Sequence, residues 1–207
     1  AAPAAGPDDE TTDDSAEVAR QVLHDDGADA VGPASVGRTV LDSTQREEPE
    51  SHRLHLLRRH GVTDIAANLH YHPDKISSYF GDGREFGVDL RYNLEGQLMG
   101  TAGGASAFRE FLDDSTFLVM SGDGLTDVDL SAFIAAHKRS GGVATLAVKE
   151  VEDPSLYGVV VHDEGMRVTG FQEKPAREEA RSHLCNCGIY AFEPRIFDYV
   201  TPGAFVD

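Results

Sequence analysis

The chain has 207 residues, with 36 acidic against 18 basic side chains and a formal net charge of −18 at pH 7. That balance excludes the basic footprint a nucleic-acid-binding surface needs, and no run approaches the roughly 18 apolar residues of a membrane-spanning helix. The acidic start lacks the apolar core of a signal peptide, so a soluble, cytoplasmic protein with no membrane partner is expected.

Residues 1–50 hold thirteen acidic residues against three arginines and no lysine. High charge with low hydrophobicity predicts a mostly disordered or unrelated leader, with a short helix over Ala16–Leu23 and a strand remnant over Ala30–Leu41. From residue 51 to 207 the pattern changes. Leu54, Leu57 and Val62 give a helix closed near Gly61, and Thr63–Leu69 (TDIAANL) reads as a strand. Pro73 suits the first turn of a helix that runs to the Gly81-Asp82-Gly83 stop, and Phe86–Leu94 gives the next strand. A helix follows over Thr101–Leu112. Phe117–Met120 is continuously apolar, as in a parallel strand buried on both faces. Asp129–Gly141 has the start and stop signals of an amphipathic helix, and Ala144–Val151 is again β-rich. Strand, helix, strand makes a βαβ unit with parallel strands. The fold class expected is Rossmann-like, a three-layer α/β/α domain with a mainly parallel sheet.

A carboxylate at the end of a buried strand stands where open α/β sheets place ligand chemistry. Asp123, after Phe117–Met120 and the Ser121-Gly122 turn, is therefore the first candidate site residue, although a turn or capping aspartate would look the same. Asp127 and Asp129 read as helix-start carboxylates. His183, Cys185 and Cys187 alternate on one predicted strand and would share a face. That is poor geometry for a disulfide, and no fourth zinc ligand accompanies them, so ordinary buried cysteines are expected.

Five motifs together resemble the sugar-1-phosphate nucleotidyltransferases, most nearly the mannose-1-phosphate guanylyltransferase and glucose-1-phosphate thymidylyltransferase branch, over about residues 52–200. They are LLRRHGVTDIAANLHY (Leu56–Tyr71), LMGTAGG (Leu98–Gly104), GDGLTDVDL (Gly122–Leu130), YGVVV (Tyr157–Val161) followed by EKP (Glu173–Pro175), and NCGIYAFEP (Asn186–Pro194). The resemblance implies that an NTP and a sugar 1-phosphate join to give an NDP-sugar and pyrophosphate, with Mg²⁺ as cofactor. It implies Asp123 as catalytic metal ligand, since Mg²⁺ is commonly held by one or two carboxylates plus phosphate oxygens. Gly100, Thr101 and Gly103 match the segment lying against the nucleobase. Gly158, Glu173, Lys174 and Asn186 match positions around the sugar phosphate, where Lys174 would meet the phosphate and Glu173 and Asn186 would bond hydroxyls.

Two departures bear on activity. The family's glycine-rich phosphate loop, of the form GGxGTRLxPxTxxxPKP, has no counterpart: Val36-Gly37-Arg38-Thr39-Val40 lacks the double glycine, and no apolar first strand stands out ahead of it. The second metal aspartate, in a Trp-x-Asp-x-Gly context, is not among these 207 residues, which contain no tryptophan. By sequence the domain is thus incomplete at both ends, and catalysis, non-catalytic sugar-nucleotide binding and an inactive fragment all stay open. So do the base, the sugar and the oligomeric state, with which a homo-oligomer is compatible.

Overall fold

A computed structural model describes residues 20–23, 38–43, 47–122, 125–201 and 203–206. Nine strands form one open sheet in the order β1-β6-β9-β5-β2-β3-β4, with β7 pairing β9 and β8 pairing β7. These strands are β1 (Arg20–Leu23), β2 (Arg38–Ser43), β3 (Asp64–Leu69), β4 (Asp89–Leu94), β5 (Phe117–Ser121), β6 (Ala144–Glu150), β7 (Gly158–His162), β8 (Val168–Glu173) and β9 (Leu184–Phe192). The pairs β1–β6, β2–β3, β2–β5 and β3–β4 are parallel, whereas β9 runs antiparallel between β5 and β6. The expected βαβ unit is therefore present with an antiparallel strand inserted between its two parallel strands.

The continuous apolar runs are buried because helices cover both faces. On one face α1 (Glu47–Arg59), α2 (Pro73–Phe80) and α5 (Leu130–Ser140) set Leu54, Leu57, Phe80, Leu130 and Ile134 against Ile65, Leu118 and Met120. On the other, α3 (Gly100–Ser106), α4 (Arg109–Leu112) and the turn Pro194–Asp198 set Phe108, Leu112 and Phe197 against Val40, Ala66 and Val119. Ile65 and Ala66 going to opposite faces is the two-residue period of a strand. A smaller cluster of Leu146, Val148, Val160 and Leu184 lies under β7 and β8.

Local signals fix several boundaries. Asp129 caps α5, its carboxylate accepting the Ala132 N–H at 3.0 Å, and Gly141 closes it at φ 65°. Pro73 stands in the first turn of α2. Other expectations are corrected. The strand expected from Phe86 starts only at Asp89, because Arg84–Phe86 forms a 3₁₀ turn and Gly87 takes φ 74°. The single helix over Thr101–Leu112 is two, broken at Ala107-Phe108 where Phe108 turns to the core with φ −108°. Where a helix was expected over Ala16–Leu23, residues 20–23 form β1.

The absent first strand is the largest correction. β2 lies at the centre of the sheet, hydrogen-bonded on both sides, with Thr39 facing Ile65 on β3 and Leu118 on β5. The Thr39 hydroxyl donates to the Leu118 carbonyl at 3.0 Å, and the Arg38 guanidinium pairs with Asp114. The short polar-ended run RTVLDS hides this strand from a reading of hydrophobicity.

A buried polar network ties the amino end of the sheet. His137, 1 % exposed, contacts the Thr145 hydroxyl through Nδ1 at 2.7 Å and Glu193 Oε1 through Nε2 at 3.1 Å; Thr116 donates to the same oxygen at 2.7 Å. Since the carboxylate only accepts, Nε2 carries the proton and Nδ1 accepts from Thr145. Burial holds the imidazole pKa below its usual value, against the opposing pull of Glu193. The folded state thus resists protonation more than the unfolded chain, so this contribution is complete above pH of about 6.5 and declines as pH falls below it. Urea midpoints measured at pH 7.5 and 5.5 should fall with acid, and His137→Leu should cost about 2 kcal/mol at pH 7.5 while flattening that fall. An unchanged pH slope in the variant would show that His137 does not carry it.

Candidate functional site

Parallel strands open a crevice at their carboxyl ends where neighbouring connections leave in opposite directions. Here that point is between β2, which leads through α1 to β3, and β5, which leads through α5 to β6. Register places Asn93, Asn68, Asp42 and Ser121 in one row across β4, β3, β2 and β5. Asn68 is 3 % exposed, and its Oδ1 accepts from Asn93 Nδ2 at 2.9 Å. The helix α3 seats on this polar row through glycine: a Cβ at Gly104 would stand 2.6 Å from Asn68 Nδ2 and 3.0 Å from Glu95 Oε1.

Gly100, Thr101 and Gly103 begin α3, with Gly100 at φ 76°. The close backbone approach at Gly103 is made by the chain itself. Val206 accepts the N–H groups of Ala102 and Gly103, both at 3.0 Å, and donates its own to the Met99 carbonyl at 2.9 Å. A Cβ at Gly103 would lie 2.8 Å from the Ala204 carbonyl oxygen. Residues 203–206 therefore form a strap across the start of α3. Beside it an open groove of about 650 Å³ is lined by Asn93, Glu95, Met99, Gly103, Arg109 and Phe197 among others.

On the other side of β5, Gly158 on β7 faces Glu173 on β8. A Cβ at Gly158 would stand 3.4 Å from Glu173 Oε2. Lys174 takes φ 43°, donates its backbone N–H to the Tyr157 carbonyl at 3.1 Å, and sets Nζ 3.5 Å from Glu173 Oε1. Both side chains are well exposed, so the pair contributes little to stability and stands as a charged rim. Asn186 is held from two sides: its Oδ1 accepts the Gly188 N–H at 2.9 Å and its Nδ2 donates to the Tyr190 hydroxyl at 2.7 Å. Gly188, at φ 67°, lies where the register between β6 and β9 shifts, and a Cβ there would come within 2.7 Å of Ser121 Cβ. The bulge thus presses β9 against the last residue of β5.

Asp123, the expected metal ligand, lies outside the described residues, as does Gly124. Ser121 and Gly122 are the described residues immediately before them. The segment after them is tied to the helical face, Thr126 O meeting His52 Nε2 at 3.2 Å and His60 Nδ1 meeting the Ser131 hydroxyl at 2.9 Å. Among the described residues no three His, Cys, Asp or Glu side chains gather as a metal site. Cys185 is buried, which raises its thiol pKa, whereas Cys187 is exposed, so the expectation of two buried cysteines holds only for Cys185. Neither forms a disulfide.

The expected residues fall into two groups: Gly158, Glu173, Lys174 and Asn186 across β7, β8 and β9, and Gly100, Thr101 and Gly103 at the start of α3. Asn68, Asn93, Ser121, Gly188 and Tyr190 adjoin these groups. A polar residue closing an apolar strand run signals Asn68, and a glycine inside a strand signals Gly188.

Comparison with known proteins decides the family. The nucleotidyl transferase family model matches residues 50–204. The chain belongs to that family. It is 42 % identical over 167 residues to a UTP–glucose-1-phosphate uridylyltransferase from Synechocystis sp., an alignment covering 74 % of this chain and 43 % of that protein. To a mannose-1-phosphate guanyltransferase from Gibberella zeae it is 34 % identical over 154 residues, covering 72 % of this chain and 42 % of that protein. The chain thus spans less than half the length of these curated relatives. Among solved structures, HddC from Yersinia pseudotuberculosis superposes with a TM-score of 0.68 at 20 % identity, covering 82 % of each chain. A UDP-glucose pyrophosphorylase complexed with UDP-glucose gives 0.62 at 17 %, covering 79 % of this chain and 78 % of that one. At these identities the likeness concerns the fold alone.

The glycine contacts are testable. Gly188→Ala should lose about 1–3 kcal/mol in urea unfolding, because its φ and its contact with Ser121 both exclude a side chain. Gly103→Ala should instead loosen the strap, which chymotrypsin cleavage after the exposed Phe205 would report as a faster cut with the core intact. Equal cleavage rates would show that the strap tolerates the methyl group.

Proposed function

We propose that this chain carries the substrate-binding edge of a sugar-1-phosphate nucleotidyltransferase, and that its reaction is in-line attack of a sugar-phosphate oxygen on the α-phosphorus of an NTP, releasing pyrophosphate. The observation that carries the reading is the register across β9, β7 and β8: Val159 pairs with Cys185 next to Asn186, Gly158 pairs with Glu173 next to Lys174, and Gly188 of β9 closes on Ser121, two residues before Asp123. In this reading Lys174 neutralises the sugar phosphate as a point charge, Glu173 and Asn186 bond ring hydroxyls, and Gly100, Thr101 and Gly103 face the base. Asp123 is the carboxylate that would hold Mg²⁺, which supplies charge neutralisation at the phosphates when bound.

One observation favours a second reading, non-catalytic binding of a sugar nucleotide. Between the end of β2 at Ser43 and the start of α1 at Glu47 only three residues remain, where the family carries its glycine-rich phosphate loop. Backbone donors and basic side chains for a triphosphate are correspondingly fewer. A diphosphate sugar asks less of that cradle.

Pyrophosphate release, measured with UTP, GTP or dTTP and glucose or mannose 1-phosphate, separates the two. Turnover with any pair supports catalysis. Saturable calorimetric binding of UDP-glucose or GDP-mannose without turnover supports the second reading, and absence of both would sink each. Asp123→Asn should weaken Mg²⁺-dependent nucleotide binding while leaving the unfolding midpoint unchanged; equal binding would remove Asp123 from the metal site.

A further inference from the structure

We propose that Tyr190 is a positioning residue for sugar recognition, acting through Asn186 and resting on the functional reading above. Four residues along a regular strand span roughly 13 Å, with side chains standing apart on one face. Asn186 Nδ2 nevertheless meets the Tyr190 hydroxyl at 2.7 Å. The β9 bulge shortens the path: the register against β6 shifts between Leu146 and Val148, and Gly188 turns at φ 67°. The same bulge aims the Gly188 N–H at Asn186 Oδ1, 2.9 Å away. Gly188 can make that turn only because no side chain stands between it and Ser121.

The two contacts fix which way round the amide sits. A flipped Asn186 would point its NH₂ at the Gly188 N–H, donor against donor, so the oxygen faces Gly188 and the nitrogen faces Tyr190. What the amide keeps for a ligand is one N–H and one oxygen lone pair. That pattern complements two adjacent ring hydroxyls, one accepting and one donating, and the ligand class is a pyranose with a vicinal diol. Losing the tyrosine hydroxyl leaves Oδ1 anchored but frees the nitrogen end to rotate. The ring itself is held separately, stacked on Phe192 at 5.7 Å with a 10° interplanar angle, so Tyr190→Phe removes the hydrogen bond and keeps the packing.

The test is calorimetric titration of the full chain with UDP-glucose, GDP-mannose and the sugar-free diphosphates UDP and GDP. It compares the wild type, Tyr190→Phe, Asn186→Ala and the double variant. Loss of one hydrogen bond should weaken sugar-nucleotide binding by Tyr190→Phe roughly fivefold and leave UDP and GDP binding unchanged. The double variant should bind no more weakly than Asn186→Ala alone, because Tyr190 acts only through that amide. Additive losses, equal weakening of the sugar-free diphosphates, or wild-type affinity in Tyr190→Phe would each overturn the proposal. A wild-type chain that binds no sugar nucleotide overturns both this proposal and the functional reading beneath it.

Discussion

Two backbone ladders on one six-residue strand hold this domain together. β2 pairs in parallel with β3 on one side and β5 on the other, and among the described residues nothing else in the sheet order joins β3–β4 to β5–β9. The ladders are reinforced at side-chain level by the Thr39 hydroxyl on the Leu118 carbonyl and by the Arg38–Asp114 pair. Arg38 also stands 5.1 Å above the Phe111 ring, with Arg91 of β4 at 4.1 Å from the same ring. One aromatic ring is thereby shared by cations from two strands. Without β2, two long edges would face solvent, the arrangement that invites aggregation.

The same strand sets the chemistry available. Because β2 leads to α1 in one direction while β5 leads to α5 in the other, their carboxyl ends frame the crevice, with Asn93, Asn68, Asp42 and Ser121 in backbone register across it. Three residues, 44–46, separate β2 from α1 in the chain, whereas Gly158, Glu173 and Asn186 lie on β7, β8 and β9.

Much of this was legible in the residues. The continuous apolar run Phe117–Met120, the Asp129 cap and the Gly141 stop each encode structure through nearest neighbours, so strand β5 and helix α5 lie where the sequence places them. β2 showed only as a strand remnant over Ala30–Leu41, because its burial comes from strands far away in the chain. The break between α3 and α4 was hidden because Phe108 leaves the helical path to reach a core built by Phe117, Phe192 and Phe197. Asn186 was recognisable by resemblance, but its partnership with Tyr190 was not. A two-residue period predicts that residues four apart never touch, and only the glycine bulge, a tertiary event against Ser121, breaks that rule.

Three glycines near the site show how to weigh such residues. Gly103, Gly104 and Gly188 would each collide, if given a side chain, with protein atoms: Ala204, Asn68 and Ser121 respectively. Glycine in a binding motif invites the explanation that a ligand approaches the backbone there. Here the approaching group is the chain itself, and close packing accounts for the residue before any ligand is invoked. Yet the two explanations are linked rather than rival. The strap over Gly103 fixes the start of α3 beside the groove, and the contact at Gly188 produces the bulge that orients Asn186. Glycine acts here by letting backbones close until the side chains around them have one orientation left.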